Sequence, residues 1–263
     1  MNRIEAKLEE LKAKNEKAFI TYITAGLPDM ERCAELICAQ EEAGLDILEL
    51  GVPFSDPVAD GPVIQDASYR SILKGTTLKT TFDLVEKVRK SGVKMPIVFM
   101  MYYNTVLHYG VEAFAKKCAE VGVDGLIIPD LPMEEQGDLK AALAGQDAVI
   151  LLQLVAPVSK QRIPEILKDA RGFVYCVSSM GVTGQAAQFH REVISYLQDV
   201  KEQSPIPVMM GFGIRTAEDV EPMKDIIDGA IVGSHFISLM ESCDYDLETA
   251  KNYIKTFKSD LRA

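Results

Sequence analysis

The stretch Leu45-Asp-Ile-Leu-Glu-Leu-Gly-Val-Pro-Phe-Ser-Asp-Pro-Val-Ala-Asp-Gly-Pro62 changes character halfway along. Its first part, Leu45–Leu50, is an aliphatic run that lacks the period-two alternation of a half-solvated strand. That pattern belongs to a strand covered on both faces, as in parallel sheets. The remainder, Val52 to Pro62, is rich in Pro, Asp and Gly and reads as a long loop. The fold then depends on how often a covered strand recurs.

Similar runs occur at Phe19–Thr24, Ile97–Tyr103, Gly125–Asp130, Val149–Val155, Phe173–Ser178, Pro207–Gly213 and Gly229–Gly233, making eight in all. Helical patterns separate or follow them at Asp29–Ala43, Val111–Val121, Glu134–Ala144, Ser159–Ala170, His190–Gln203, Thr216–Lys224 and Leu247–Lys258. Asp29, Ser159 and Thr216 are plausible helix caps. Eight strand–helix units in about 250 residues fit a (β/α)8 TIM barrel, with an open doubly wound sheet as the alternative. No G-x-G-x-x-G follows the first run, which disfavours that alternative. Ile4, Leu8 and Leu11 add a leading amphipathic helix over residues 2–16. Strand starts lie 22–34 residues apart, except for 52 between the second and third. Extra chain is therefore inserted after the second strand, where barrels carry their chemistry. No linker or low-complexity tract divides the chain, so residues 1–263 are expected to form one domain.

Composition narrows the partners. The formal charge of −11 argues against nucleic acid, because phosphate backbones demand a basic footprint. No apolar run is long enough to span a bilayer, and the charged N-terminus lacks a signal-peptide core. Five cysteines without a CxxC pair suggest reduced thiols and a cytoplasmic protein rather than a disulfide scaffold or zinc site.

Glu49 interrupts the apolar run at the end of the second strand. A carboxyl among aliphatic residues has a raised pKa, suited to acid/base work near neutrality. The plainer reading is a strand-end Glu paired with a Lys or Arg. Asp60 lies in the following loop, where Asp before Gly-Pro is also a common turn or cap residue. Two carboxylates from one loop region are more suggestive together, since unlike environments divide acid and base roles. Asp56 has no separate case. Beyond them, Gly181-Val-Thr-Gly184, Gly211-Phe-Gly-Ile214 and Gly233-Ser234 follow the last three strands. This is where barrels bind phosphate through backbone amides and a short helix N-terminus. Ser178–Phe189 reads as a mobile lid or an ordinary surface loop. Tyr175 alternates inward with Val177, and the Met pairs 100–101 and 209–210 read as core. The three histidines are not spaced as metal ligands, so no metal site is expected. No Lys ends a barrel strand, which disfavours a Schiff base.

The segment Leu48–Gly61 resembles the signature of the tryptophan synthase alpha subunit family. Pro129-Asp-Leu-Pro132, Tyr175 and the three glycine sites follow in that family's order, so the likeness spans nearly the whole chain. The resemblance implies a (β/α)8 barrel that cleaves indole-3-glycerol phosphate to indole and glyceraldehyde 3-phosphate. It implies no cofactor on this chain, and a beta subunit carrying pyridoxal phosphate as partner in an alpha2beta2 heterotetramer. By the same resemblance Glu49 and Asp60 are the catalytic pair. Tyr22, Met100, Ile127, Tyr175, Thr183 and Phe212 would contact substrate, and Gly184, Gly213, Gly233 and Ser234 its phosphate. Asp56 and Pro57 would face the beta subunit. Some members of the family carry Phe at the position of Tyr22, Arg at Ser179 and a small residue at His235. Two competing readings are another sugar-phosphate barrel, which would lack the Glu49/Asp60 loop, and a non-catalytic partner subunit, which would have lost one of that pair.

Overall fold

The computed structural model describes residues 1–146, 148–177, 186–211 and 213–262, the side chains of 186–191 and 262 excepted. The first helix, α1 (Arg3–Ala13), begins with a capping box: the Ile4 amide donates to the Asn2 side chain, and the Asn2 amide to Glu5. Its apolar stripe of Ile4, Leu8 and Leu11 closes the lower end of a ring of parallel strands. Burying each such side chain contributes about 1.5–3 kcal/mol.

The strands are β1 (Ala18–Thr24), β2 (Ile47–Gly51), β3 (Ile97–Met100), β4 (Gly125–Ile127), β5 (Ile150–Leu151), β6 (Gln153–Val155), β7 (Val174–Cys176), β8 (Val208–Met210) and β9 (Gly229–Val232). Their hydrogen-bonded order is β5-β4-β3-β2-β1-β9-β8-β7-β6, every pairing parallel. β5 and β6 are two halves of the expected fifth strand, separated by Leu152 alone. The first half pairs with β4 and the second with β7, so the chain itself carries the ring from one to the other.

Alternate residues face the barrel interior. Ile20, Ile47, Val98, Ile127, Tyr175, Met209 and Ile231 pack there, beneath the ends from which Tyr22, Glu49 and Met100 project. Register places Tyr22 opposite Glu49, Gly51 opposite Met100, and Met100 opposite Ile127. The outer strand faces pack in a second, larger core beneath the surrounding helices.

Those helices are α2 (Met30–Glu42), α3 (Pro62–Leu73), α4 (Leu78–Lys90), α5 (Tyr103–Tyr109), α6 (Val111–Val121), α7 (Gly137–Leu143), α8 (Ile163–Leu167), α9 (Ala186–Gln203), α10 (Ser234–Ser242) and α11 (Leu247–Arg262). The long gap after β2 holds the loop to Gly61, the extra helix α3 and then α4. Asp29 caps α2, accepting from the Arg32 amide at 2.9 Å.

Three helical expectations need correcting. Thr216–Lys224 forms two 3-10 turns rather than one helix, because Pro222 offers no amide to continue it. Ser159–Ala170 is a 3-10 turn from Pro157 followed by the short α8, with Pro164 near its start. Ser159 is accordingly no N-cap; its hydroxyl accepts the Ala156 amide from inside that turn. Glu134–Ala144 likewise begins as a 3-10 turn before α7.

Candidate active site

At the upper, C-terminal end of the strands lies a cavity of about 750 Å3. Tyr22, Glu49 and Met100 line one side, and Tyr175, Gly211, Gly213, Gly233 and Ser234 the other. A smaller cavity of about 350 Å3 opens at the opposite end, beneath α1. Two of its cations are already engaged: Lys201 pairs with Asp228, and Lys17 donates to the Ile227 carbonyl.

Glu49 sits where β2 meets the cavity and is completely buried. Neither carboxylate oxygen has a hydrogen-bond partner, and no Lys or Arg pairs with it, among the described residues. The ion-paired reading of this residue is therefore excluded within that set. Burial alone pushes its pKa up to about 8, so it is protonated at neutral pH. Such an acid destabilises its own ionised form, which is the condition of a proton donor.

Asp60 lies in the loop before α3. Gly61 occupies the N-cap position of that helix, so the carboxylate of Asp60 is free of capping duty. Instead Tyr102 donates its hydroxyl to Asp60 Oδ2 at 3.0 Å and accepts the Ala59 amide, also at 3.0 Å. The Tyr102 ring stacks on Phe54 with centroids 5.1 Å apart, so one side chain holds both ends of the loop. Burial raises the Asp60 pKa to about 6, with the Tyr102 hydrogen bond opposing the rise. The two carboxyls thus titrate apart, one above neutrality and one below.

Tyr22 and Tyr175 stand between these acids and the glycine side. Burial first, then the nearby acids (Asp60 ahead of Glu49 for Tyr22, Glu49 ahead of Asp60 for Tyr175), raise both phenols above their usual range, keeping them protonated. Each ring lies where a glycine leaves room. A Cβ on Gly51 would sit 2.0 Å from the Tyr22 hydroxyl, and one on Gly211 would sit 2.3 Å from the Tyr175 ring.

On the far side, Gly233 and Ser234 begin α10, whose first intrahelical bond runs from the Ile237 amide to the Gly233 carbonyl. The amides before it have no acceptor within the helix, the condition under which a helix start can take an anion. Ile127 is fully buried within the barrel and is not among the residues lining the cavity. Asp56 and Pro57 lie in the loop after β2, with Asp56 exposed. Thr183, Gly184 and Phe212 lie outside the described residues, as does the proposed lid as far as residue 185.

Sequence reading missed two residues here. Tyr102 was hidden in the apolar end of the third strand run, although a polar aromatic at a barrel strand's C-terminal end is itself a signal. Arg215, beside Gly213, also lines the cavity.

Asp60 is not itself among the residues lining the cavity, but it acts on Tyr22 and Tyr175, which are. A parallel barrel with one buried carboxyl on a glycine-lined cavity wall, and a second, separately tuned carboxyl on the loop after the same strand, is the arrangement of an acid/base enzyme of the (β/α)8 class. Residues 8–263 match the family described as tryptophan synthase alpha chain. The chain belongs to the tryptophan synthase alpha chain family. The alpha chain of Lachnospira eligens is 62% identical over 264 residues, covering all of both chains. That of Alkaliphilus metalliredigens is 47% identical, over 92% of this chain and 90% of its own. Among solved structures, the alpha subunit from Legionella pneumophila superposes with a TM-score of 0.90 at 32% identity, covering 100% and 99% of the two chains. Mycobacterium tuberculosis tryptophan synthase gives a TM-score of 0.88 at 34% identity, with the same coverage.

Proposed function

We propose that Glu49 and Asp60 carry out the reaction of this lyase family, the cleavage of indole-3-glycerol phosphate to indole and glyceraldehyde 3-phosphate. The observation that carries this reading is Glu49, a buried and unpaired acid on the wall of a cavity large enough for the substrate.

The protonated Glu49 gives its proton to indole C3, turning the ring into an electron-poor indolenine cation. Asp60, ionised above about pH 6, accepts a hydrogen bond from the indole N–H and stabilises that positive charge. Glu49, now a carboxylate, takes the proton from the adjacent glycerol hydroxyl. The C3–carbon bond breaks, its electron pair returns to the ring as indole, and the hydroxyl carbon becomes the aldehyde. Glu49 ends protonated, ready for another turnover. Met100, Tyr22 and Tyr175 would bound the indole, with Ile127, Thr183 and Phe212 completing its surroundings. Gly213, Gly233 and Ser234, with Gly184, would hold the phosphate through backbone amides.

The same reading assigns a partner. Exposed apolar side chains stand on the connections after β2, β3 and β6: Val58 in a loop at 82% exposure, Leu107 in α5 at 56% and Val158 in a 3-10 turn at 83%. All three occupy the rim of the catalytic end, close in sequence to Asp56 and Pro57 or on neighbouring connections. This supports docking of a beta subunit there, in an alpha2beta2 assembly, with pyridoxal phosphate held by the partner. Docking would shift the catalytic loops toward a closed state, so the isolated chain is expected to be the weaker catalyst.

The deciding experiment measures indole release from indole-3-glycerol phosphate by wild type and Glu49→Gln, with and without a beta subunit. Indole from wild type alone, faster with the partner, is expected. Equal release by Glu49→Gln would remove Glu49 from the mechanism, and no release at all would remove the lyase reading.

A further inference from the structure

The phosphate end of the cavity has more than backbone amides. Arg215 and His235 line it alongside Gly213, Gly233 and Ser234. Arg215 follows the β8 loop and is exposed; His235 is the second residue of α10 and half-buried. Among the described residues the Arg215 guanidinium forms no ion pair, so its charge is not neutralised by a bonded carboxylate.

The placement of both residues is fixed from behind by α11. Tyr253 packs its ring against His235, with centroids 5.7 Å apart, and donates its hydroxyl to the Arg215 carbonyl at 2.7 Å. Asp219 completes the support, accepting the Arg215 and Thr216 amides at 2.8 and 3.0 Å. The residues acting on His235 are thus Arg215, Asp219 and the neutral Tyr253. Burial and then Arg215 push the imidazole pKa below its usual value, while Asp219 opposes them. Empty, the site holds a neutral histidine beside a cation.

We propose that Arg215 and His235 form a cationic wall on the phosphate subsite, which selects a doubly charged oxyanion and takes up a proton at His235 when that anion binds. The inference rests on the phosphate placement given above and adds side-chain charge to it. A dianion facing both side chains offsets their mutual repulsion and favours the imidazolium. Anion affinity then depends on pH through the protein itself, not only through ionisation of the phosphate.

Sulfate separates these two sources, because it stays a dianion across the range in which phosphate titrates. The experiment measures binding of inorganic sulfate and of glycerol 3-phosphate by calorimetry from pH 5.5 to 8. It also tests competition by each against indole-3-glycerol phosphate. Wild type is expected to bind sulfate about tenfold more tightly at pH 5.5 than at pH 8, one pKa unit of coupling. His235→Gln should flatten that dependence. Arg215→Gln should weaken binding about tenfold at every pH while leaving a slope, and Arg215→Lys should restore part of the loss. Competitive binding that is identical in wild type and both glutamine variants overturns the cationic wall but leaves the phosphate placement standing. A slope that persists unchanged in His235→Gln overturns the proton uptake. Absence of competitive binding to wild type at any pH overturns the phosphate placement, and this proposal with it.

Discussion

Glu49 couples catalysis to stability in opposite directions. Its carboxyl would ionise near 4.5 in an unfolded chain but holds its proton to about 8 in the fold. Folding is therefore favoured by the protonated form, and this contribution is present below pH 4.5 and lost as pH rises through 8. Glu49→Gln keeps the shape without the ionisation. In urea melts it should match wild type near pH 4.5 and exceed it by a few kcal/mol at pH 8.5, with indole release reduced at least about a thousandfold. A variant no more stable than wild type at pH 8.5 would show that the carboxyl finds a counter-charge. On the proposed mechanism the pair also sets a pH profile: Asp60 is to be ionised, above about 6, and Glu49 protonated, below about 8. Cleavage by the free enzyme should peak between those limits. Tyr102→Phe removes the hydrogen bond that lowers the Asp60 pKa, so the acid limb should move to higher pH. An acid limb unmoved in Tyr102→Phe would separate Tyr102 from the positioning of Asp60. Glu49 was legible in sequence because its surroundings are its chain neighbours. Tyr102 was not, since its partners Asp60 and Ala59 lie some forty residues away.

Between elements, one carboxylate joins four segments. Asp124, just before β4, accepts from Arg3 at 2.8 Å, from Arg89 at 2.6 Å and from the Ile97 amide at 2.8 Å. Its carbonyl accepts from Asn2 at 2.8 Å. The barrel floor, α4 and two strands thus meet at a buried ionic node. Asp124→Ala leaves Arg89 without its anion and should cost about 3–5 kcal/mol, read as a lower midpoint in thermal or urea unfolding. An unchanged midpoint would mean that the carbonyls around Arg89 suffice. Nothing in local sequence marks this node, because positions 3, 89, 97 and 124 come together only through the barrel. Strands were easier to read than helices for a related reason. Burial on both faces writes itself into each short apolar run, whereas Pro164 and Pro222 interrupt segments whose apolar spacing alone looked helical.

For the molecule as a whole, the proposed acid/base residues and the proposed phosphate anchors belong to different arcs of the ring. β2, β3 and the loops after them carry Glu49, Asp60 and Tyr102, while β7 to β9 lead into the glycines and the cationic side chains. Among the exposed apolar residues, Val58 and Leu107 lie on the connections of the first arc and Val158 on the connection after β6. Val58→Asp should therefore weaken association with a beta subunit and abolish most of its stimulation. Intrinsic cleavage and unfolding midpoint should stay within error, because the side chain is already solvated. Undiminished association, measured by sedimentation, would place the partner elsewhere.

The two arcs join in two unlike ways. At β1 and β9 they are joined by a ladder of hydrogen bonds; at Leu152 the load passes along one strand, whose lower half grips β4 and whose upper half grips β7. Mechanically this is a clasp with a riveted hinge on one side and a lap joint on the other. A clasp of that kind yields at the lap. On the proposed mechanism, small adjustments in the span between Glu49 and the phosphate subsite are expected opposite β1, leaving intact the β1–β2 register that keeps Tyr22 level with Glu49.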